Sequence, residues 1–209
     1  MTRNWKRAPW KVRYRTLPRV ASSARQLAVR ATHLHADVTF GPHCRVGPGF
    51  TLEIPGPGTF HAGTAIDFRR DFVCEISGDG RVDIGDLCVF TYGCVIQCTT
   101  SITIGARATF AQGVLLVDGS HRFRDPDVPM RQQGYDYTPI TIGDGASVMA
   151  KATVLADVGP GAFVAAGAVV TAPIPAHCLA VGAPARVVDY FGPPDQRPAG
   201  VEQRRSTGA

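Results

Sequence analysis

Several features are missing from this 209-residue sequence, and each absence narrows its reading. No run of about 18 apolar residues occurs, so no membrane-spanning helix is expected. The N-terminus shows no apolar segment followed by a small-residue cleavage site, and a cytoplasmic location is the expectation. Six cysteines are present, Cys44, Cys74, Cys88, Cys94, Cys98 and Cys178, but none form a CxxC pair. Without an export signal they read as reduced thiols packed as small apolar side chains. Aspartate and glutamate are absent from the stretch between Met1 and Arg30, which holds nine of the 22 lysines and arginines. The net charge of +5 therefore hides a basic arm followed by a remainder in which acidic side chains outnumber basic ones. Residues 1–35 read as that arm, with room for a short helix and with Trp5, Trp10 and Tyr14 interleaved among the charges. Contact with an anionic membrane surface is one use for it; a solvated tail or an arm packed on a partner subunit is the plainer one, and no nucleic acid is expected.

What the sequence has in abundance is glycine and proline, 23 and 16, beside many Val, Ile and Ala and few candidate helices. Such a composition favours short strands separated by tight corners. An internal repeat gives that expectation a shape. IGDLCVFTYGCVI from Ile84, IGARATFAQGVLL from Ile104, IGDGASVMAKATV from Ile142 and VGPGAFVAAGAVV from Val158 align end to end without a gap. A bulky apolar residue returns at every sixth position, as in Ile84, Phe90 and Ile96, or Val158, Val164 and Val170. A helix would carry those residues around its surface, whereas short strands joined by corners point one inward per face. The second position, Gly85, Gly105, Gly143 or Gly159, has no room for a side chain beside the turning backbone, and the fifth, Cys88, Ala108, Ala146 or Ala162, is also small. Phe40-Gly41, Val46-Gly47, Phe72, Ile76 and Val82 extend the pattern toward the N-terminus, for about six coils. The interval from Ile104 to Ile142 is nearly twice that from Ile84 to Ile104, and the excess maps to a loop over residues 118–139.

This hexapeptide pattern, over roughly residues 38 to 190, strongly resembles the left-handed parallel β-helix acyltransferase superfamily. The resemblance implies an all-β, left-handed prism with a catalytic domain at 36–175 and the arm before it; 176–209 reads as a C-terminal extension and, after Phe191, a Pro-, Gly-, Arg- and Gln-rich disordered tail. The segment VDGSHRFRDPDVPMRQQGYDYTPITIGD is similar to the active-site loop of the sugar O-acetyltransferases within that superfamily. There a histidine before the loop takes the proton from the acceptor, and the loop of one subunit reaches over its neighbour in a homotrimer. That role falls on His121. A sugar hydroxyl is a poor nucleophile near neutral pH, so attack on a thioester needs a positioned base, which histidine supplies most readily. Asp118 and Asp125 are the candidate carboxylates for holding its ring. Acetyl-CoA is the implied acyl donor, lying in a groove between prisms; the matching positions are Ala150, Ala166, Thr171 and Arg186, the last placed to meet phosphates. Arg122, Gln133, Tyr135 and Tyr137 offer hydrogen bonds and aromatic faces to a small-molecule or glycan acceptor. Ser147 stands where many members place Trp, Ala172 where many have Lys, and the interval from Ile142 to Val158 is shorter than the usual one.

The reading is therefore a CoA-dependent O-acyltransferase working by general-base catalysis in a ternary complex, with no metal. A non-catalytic β-helix scaffold or binding protein is the alternative. A zinc carbonic anhydrase on this scaffold needs three converging histidines, and only His121 lies in the relevant coils. A sugar-nucleotide isomerase would act without coenzyme A.

Overall fold

The computed structural model describes residues 17–201. Trp5, Trp10, Tyr14 and six of the arm's nine basic side chains lie outside the described residues.

The hexad period becomes three parallel sheets wound as a left-handed β-helix. Each of the first five coils contributes one short strand to each sheet, and the sixth joins sheet A through the single Ile142–Val158 bridge. Sheet A contains Asp37–Phe40, Thr59–Ala62, Arg81–Ile84, Ser101–Ile104 and Ile140–Ile142. Sheet B starts at Arg45–Val46 and runs through Val89–Phe90 and Phe163–Val164 to Cys178–Val181. Sheet C climbs from Thr51–Glu53 through Val73–Ile76, Val95–Cys98 and Leu115–Val117 to Val169–Val170. There are six complete coils and the start of a seventh, so the stack continues past residue 175. Every inward residue read from the four aligned repeats is buried, and so are Phe40, Val46, Phe72, Ile76 and Val82.

The glycine at the second repeat position serves coil stacking. A Cβ on Gly85 would meet Ala106 N of the next coil at 2.7 Å, and one on Gly143 would run into Pro160 N. The left-handed backbone sits two positions later, at Leu87, Arg107, Gly145 and Gly161, in a column that also takes His43, Ala65 and His177. One of those residues per coil turns the chain from sheet A into sheet B, and non-glycine residues there carry a strain of about 1 kcal/mol that the ladder hydrogen bonds offset.

Coil length follows core volume. Phe40 lies level with Ala62 and Ile84 with Ile104, and these coils are long; Ile142 meets Val158 after a shorter circuit. The long coils enclose phenylalanines: Phe68, Phe90 and Phe110 stack in one column with ring centroids 5.3 and 4.6 Å apart. Above them the same column holds Val148, Val164 and Ala180, and a narrower core needs a shorter perimeter.

Both ends of the stack are closed. At the C-terminal end Arg186–Tyr190 runs antiparallel to Cys178–Val181, and the buried Tyr190 donates its hydroxyl to Pro193 O at 2.8 Å. At the N-terminal end helix α1 (Leu17–Thr32) lies across the first coil. Arg30 donates to Phe40 O at 2.9 Å, Gln26 to Cys44 O at 2.9 Å and Arg25 to Val46 O at 3.0 Å, while the Val46 amide donates to Ser22 Oγ at 2.8 Å. These side chains stand in for a missing coil and blunt the sheet edge. Arg25 and Arg30, read from the sequence as parts of a basic arm, either solvated or packed on a partner, are thus partly committed to the fold of their own chain. Ser22→Ala would leave the Val46 N–H unpaired in a buried place, a cost of about 1–3 kcal/mol. The expected outcome is a Tm lower by several degrees in a thermal melt; an unchanged Tm would remove Ser22 from the cap.

Candidate active site

The long excursion is an ordered ribbon. Gly119–His121 pairs antiparallel with Tyr135–Tyr137, setting His121 opposite Tyr135. The two rings lie 4.2 Å apart between centroids, and Tyr135 stacks on Tyr137 at 5.6 Å. Ile104 and Ile142 remain in register across the excursion, so the ribbon leaves and rejoins the prism without breaking the ladder.

Asp118 roots the ribbon. Its side chain is buried, 4% exposed, and accepts from Thr99 N at 2.9 Å, Thr100 N at 2.7 Å and Thr100 Oγ1 at 2.8 Å. Its main chain is held too, its N–H donating to Gln97 O at 3.3 Å and its carbonyl accepting from Thr138 N at 2.8 Å. Asp118 thus ties both ends of the ribbon to the preceding coil and makes no hydrogen bond to the His121 ring. Asp125 also turns elsewhere: its carboxylate accepts from Asp127 N at 3.0 Å, an Asx turn inside the loop. Among the described residues no hydrogen bond reaches the His121 ring. Gln133 donates to Asp125 O at 2.8 Å and Val128 O at 2.7 Å and accepts from Asp125 N, so it shapes the loop. Arg122 pairs with Asp136 at 2.7 Å across the ribbon.

His121 borders two clefts. One, of about 580 Å³, opens inside the loop among Arg122, Phe123, Arg124, Val128 and Asp136. The other, of about 520 Å³, lies between the ribbon and the outer face of sheet C, where Glu75, Gln97 and Thr99 face Tyr135 and Tyr137. Gln97 donates to Glu75 at 2.8 Å, presenting an ordered polar floor to whatever stands beneath the imidazole. Glu75 and Gln97 were not among the residues singled out from the sequence. Coil alignment carries the signal, since Glu75, Gln97 and Val117 are register partners in one outward column that ends just before the ribbon.

The four donor-site candidates fall on two edges. Ala150 and Ala166 stack at the corner between sheets B and C, joined by Gly167 N to Ala150 O at 2.9 Å. Thr171 follows the last strand of sheet C, on the edge from which the ribbon springs but two coils further along. Arg186 opens the closing strand, with one guanidinium nitrogen 3.0 Å from Ala185 O. Within one chain, Ala150 and Ala166 therefore stand across sheet C from His121.

Comparison with known proteins bears on the fold. A hexapeptide-repeat acetyltransferase of Vibrio cholerae, solved with acetyl coenzyme A, superposes with a TM-score of 0.56 at 21% identity, over 82% of this chain and 79% of that one. The chain carries the hexapeptide-repeat acetyltransferase fold. A maltose O-acetyltransferase of Clostridium difficile shares the fold with a TM-score of 0.51 at 23% identity, over 71% of this chain and 70% of that one. In sequence, 112 residues are 34% identical to a Mycobacterium tuberculosis protein named as a probable acetyltransferase, covering 53% of this chain and 37% of that protein. The chain spans between 37% and 58% of the length of the curated relatives it matches. No protein-family model matches it.

Of the cysteines, only Cys98 borders the His121 cleft among the described residues, with its thiol turned to Asp118 at 3.6 Å. All six are free and buried. Burial pushes the Cys88 and Cys94 thiols up to about 11 and Cys98 to about 12, the last helped by the Asp118 carboxylate beside it. A folded-state pKa above the ordinary thiol range of about 8.5 keeps these groups protonated where an exposed cysteine ionises. At pH 8 the native protein should therefore react slowly with a disulfide reagent, releasing thiolate colour from all six only after unfolding. Raising the pH above about 9 should lower Tm, because the unfolded chain then loses protons that the folded one keeps.

Proposed function

We propose that the chain is an acetyltransferase moving the acetyl group of acetyl-CoA to a hydroxyl of a saccharide or saccharide-bearing acceptor, with His121 as general base. The observation that carries this reading is His121 itself: its ring, unengaged by any hydrogen bond among the described residues, borders a cleft with a polar floor and an aromatic wall. Sugars suit such a cleft, since Glu75 and Gln97 can bind hydroxyls while the Tyr135 and Tyr137 faces meet the apolar side of a ring. His121 takes the hydroxyl proton as the oxygen attacks the thioester carbonyl. Collapse of the tetrahedral intermediate breaks the C–S bond, and the departing coenzyme A thiolate recovers a proton from the imidazolium. The acetyltransferase names of the sequence relatives support the reaction class, and the maltose O-acetyltransferase of the same fold supports a sugar hydroxyl as acceptor.

A homotrimer belongs to the same proposal. Val73, Val95 and Leu115 form an apolar outward column on sheet C, continued by Thr153 and Val169, whereas sheet A carries His61 between Asp37 at 2.9 Å and Asp83 at 3.2 Å, with Arg81 also on Asp83. The face with the apolar column is the one suited to burial between subunits. A neighbour packed there would also bring its own Ala150 and Ala166 corner toward His121, completing a site that one chain splits across two edges. Acetyl-CoA would lie in that groove, with Thr171 and Arg186 toward its nucleotide end. The six reduced thiols fit a reducing compartment such as the cytoplasm. Among the described residues no helix is long and apolar enough to cross a membrane, and no three His, Cys, Asp or Glu side chains converge as a metal cluster.

His121→Ala should lower kcat by about 10² to 10⁴ while leaving acetyl-CoA affinity nearly unchanged, in steady-state assays against a sugar panel. Undiminished turnover, or an acetyl adduct on cysteine in the intact mass after incubation with acetyl-CoA alone, would overturn the mechanism. Absence of transfer to any acceptor by wild type would favour a binding scaffold. Light scattering should give three times the chain mass, and a monomer at micromolar concentration would remove the intersubunit site.

A further inference from the structure

A second cleft lies away from His121, where helix α1 meets the first three coils. It measures about 660 Å³ and is lined by Arg25, Arg45, Arg69, Arg70, Tyr92 and Pro48, with no acidic side chain in its wall. The repeat brings these residues together. Arg45 is an outward residue of sheet B, Arg69 and Arg70 open the corner one coil on, and Tyr92 occupies that corner in the third coil, where Gly93 N donates to Arg70 O at 3.0 Å. Arg25 reaches in from the helix while holding Val46 O.

Four guanidinium groups share this space, and two carboxylates, Asp67 and Asp71, lie close by, Asp71 beside Gly49 with its N–H on Pro48 O at 2.9 Å. Asp67 takes Arg69 at 3.2 Å and lies 3.8 Å from Arg45, and no carboxylate pairs with Arg25 or Arg70 among the described residues. Like charges gathered this closely repel, and an anion in the cleft relieves that cost. Arginine forks match the oxygens of a phosphate two at a time. The Tyr92 ring, 53% exposed and 6.0 Å from the Arg69 guanidinium, offers a flat apolar surface beside the charges.

We propose that this cleft is an anion site for a phosphate ester or diphosphate, with the arginines on the phosphates and the ligand's ring against Tyr92. The cleft stands on the corner between sheets B and C, with Arg70 three coils below Ala150, and within one chain on the opposite edge of sheet C from His121, so its phosphate binding is read separately from acetyl transfer. Calorimetric titration at fixed ionic strength tests it, with inorganic pyrophosphate and UDP as probes. Both should bind saturably at one site per chain. Arg69→Gln/Arg70→Gln should weaken both at least tenfold without changing acetyl transfer; if that double variant fails to fold, Arg70→Gln alone, which breaks no ion pair, should weaken both severalfold. Tyr92→Ala should weaken UDP and spare pyrophosphate, and an unchanged UDP affinity would overturn the stacking part. Equal affinity in wild type and arginine variants, or no binding beyond that of chloride, would overturn the site. Displacement of pyrophosphate by coenzyme A would make the cleft the far end of the donor groove and overturn it as a separate site. Capture by phosphatidylglycerol vesicles with no binding of either soluble probe would make it a membrane contact and overturn it as a small-ligand site.

Discussion

Everything in this structure depends on coil-to-coil hydrogen bonding. The backbone N–H and C=O groups of a coil point along the prism axis, so each coil satisfies the one before it and leaves open groups for the one after. Side chains at the second repeat position would push neighbouring coils apart, which is why Gly85 faces the backbone of Ala106 at a distance no Cβ tolerates. The same constraint makes the two ends the vulnerable places. One is closed by turning the chain back as an antiparallel strand, Arg186–Tyr190. The other is closed by a different kind of element, a helix whose Ser22, Arg25, Gln26 and Arg30 imitate the hydrogen bonds of an absent coil.

A stiff ladder also gives the long loop a fixed base. Residues 118–139 leave from one corner and return into register, so the base of the loop is as rigid as the prism. Asp118 makes that base, committing its charge to the Thr99 and Thr100 amides of the preceding coil. It positions His121 through the backbone. The loop also marks a change in the core: the phenylalanine column ends at Phe110, in the coil before it, and Val148 continues the column in the coil after. Wider coils lie on the side of the helix cap and the arginine cleft, narrower ones on the side of Ala150, Ala166 and Thr171.

The division of outer faces gives the prism a direction in which to associate. Inward positions must be apolar on every face, so they say nothing about partners. Outward positions are free, and here they differ: sheet A holds a ladder of Asp37, His61 and Asp83, and sheet C a column of Val73, Val95 and Leu115. Water suits the first and a second protein surface the second.

The sequence by itself determined the architecture, because a hexad period repeated in register satisfies its backbone and its apolar rows together only as a stacked coil. The inward rows, the small corner positions, the coil count and the site of the long loop were all legible from Ile84-Gly85, Ile104-Gly105, Ile142-Gly143 and Val158-Gly159. What only the tertiary structure decided lies where residues from different periods meet. Asp118 and Asp125 looked alike as loop carboxylates, and packing sent one into the wall of the prism and the other into a turn. Glu75 and Gln97 entered the His121 cleft through stacking across coils, which makes neighbours of side chains a full circuit apart in the chain, a separation the local pattern does not weigh. The helix had no place in the repeat at all: whether Arg25 was a free charge or a cap depended on which backbone groups the first coil left unpaired, and those exist only once the coil has closed.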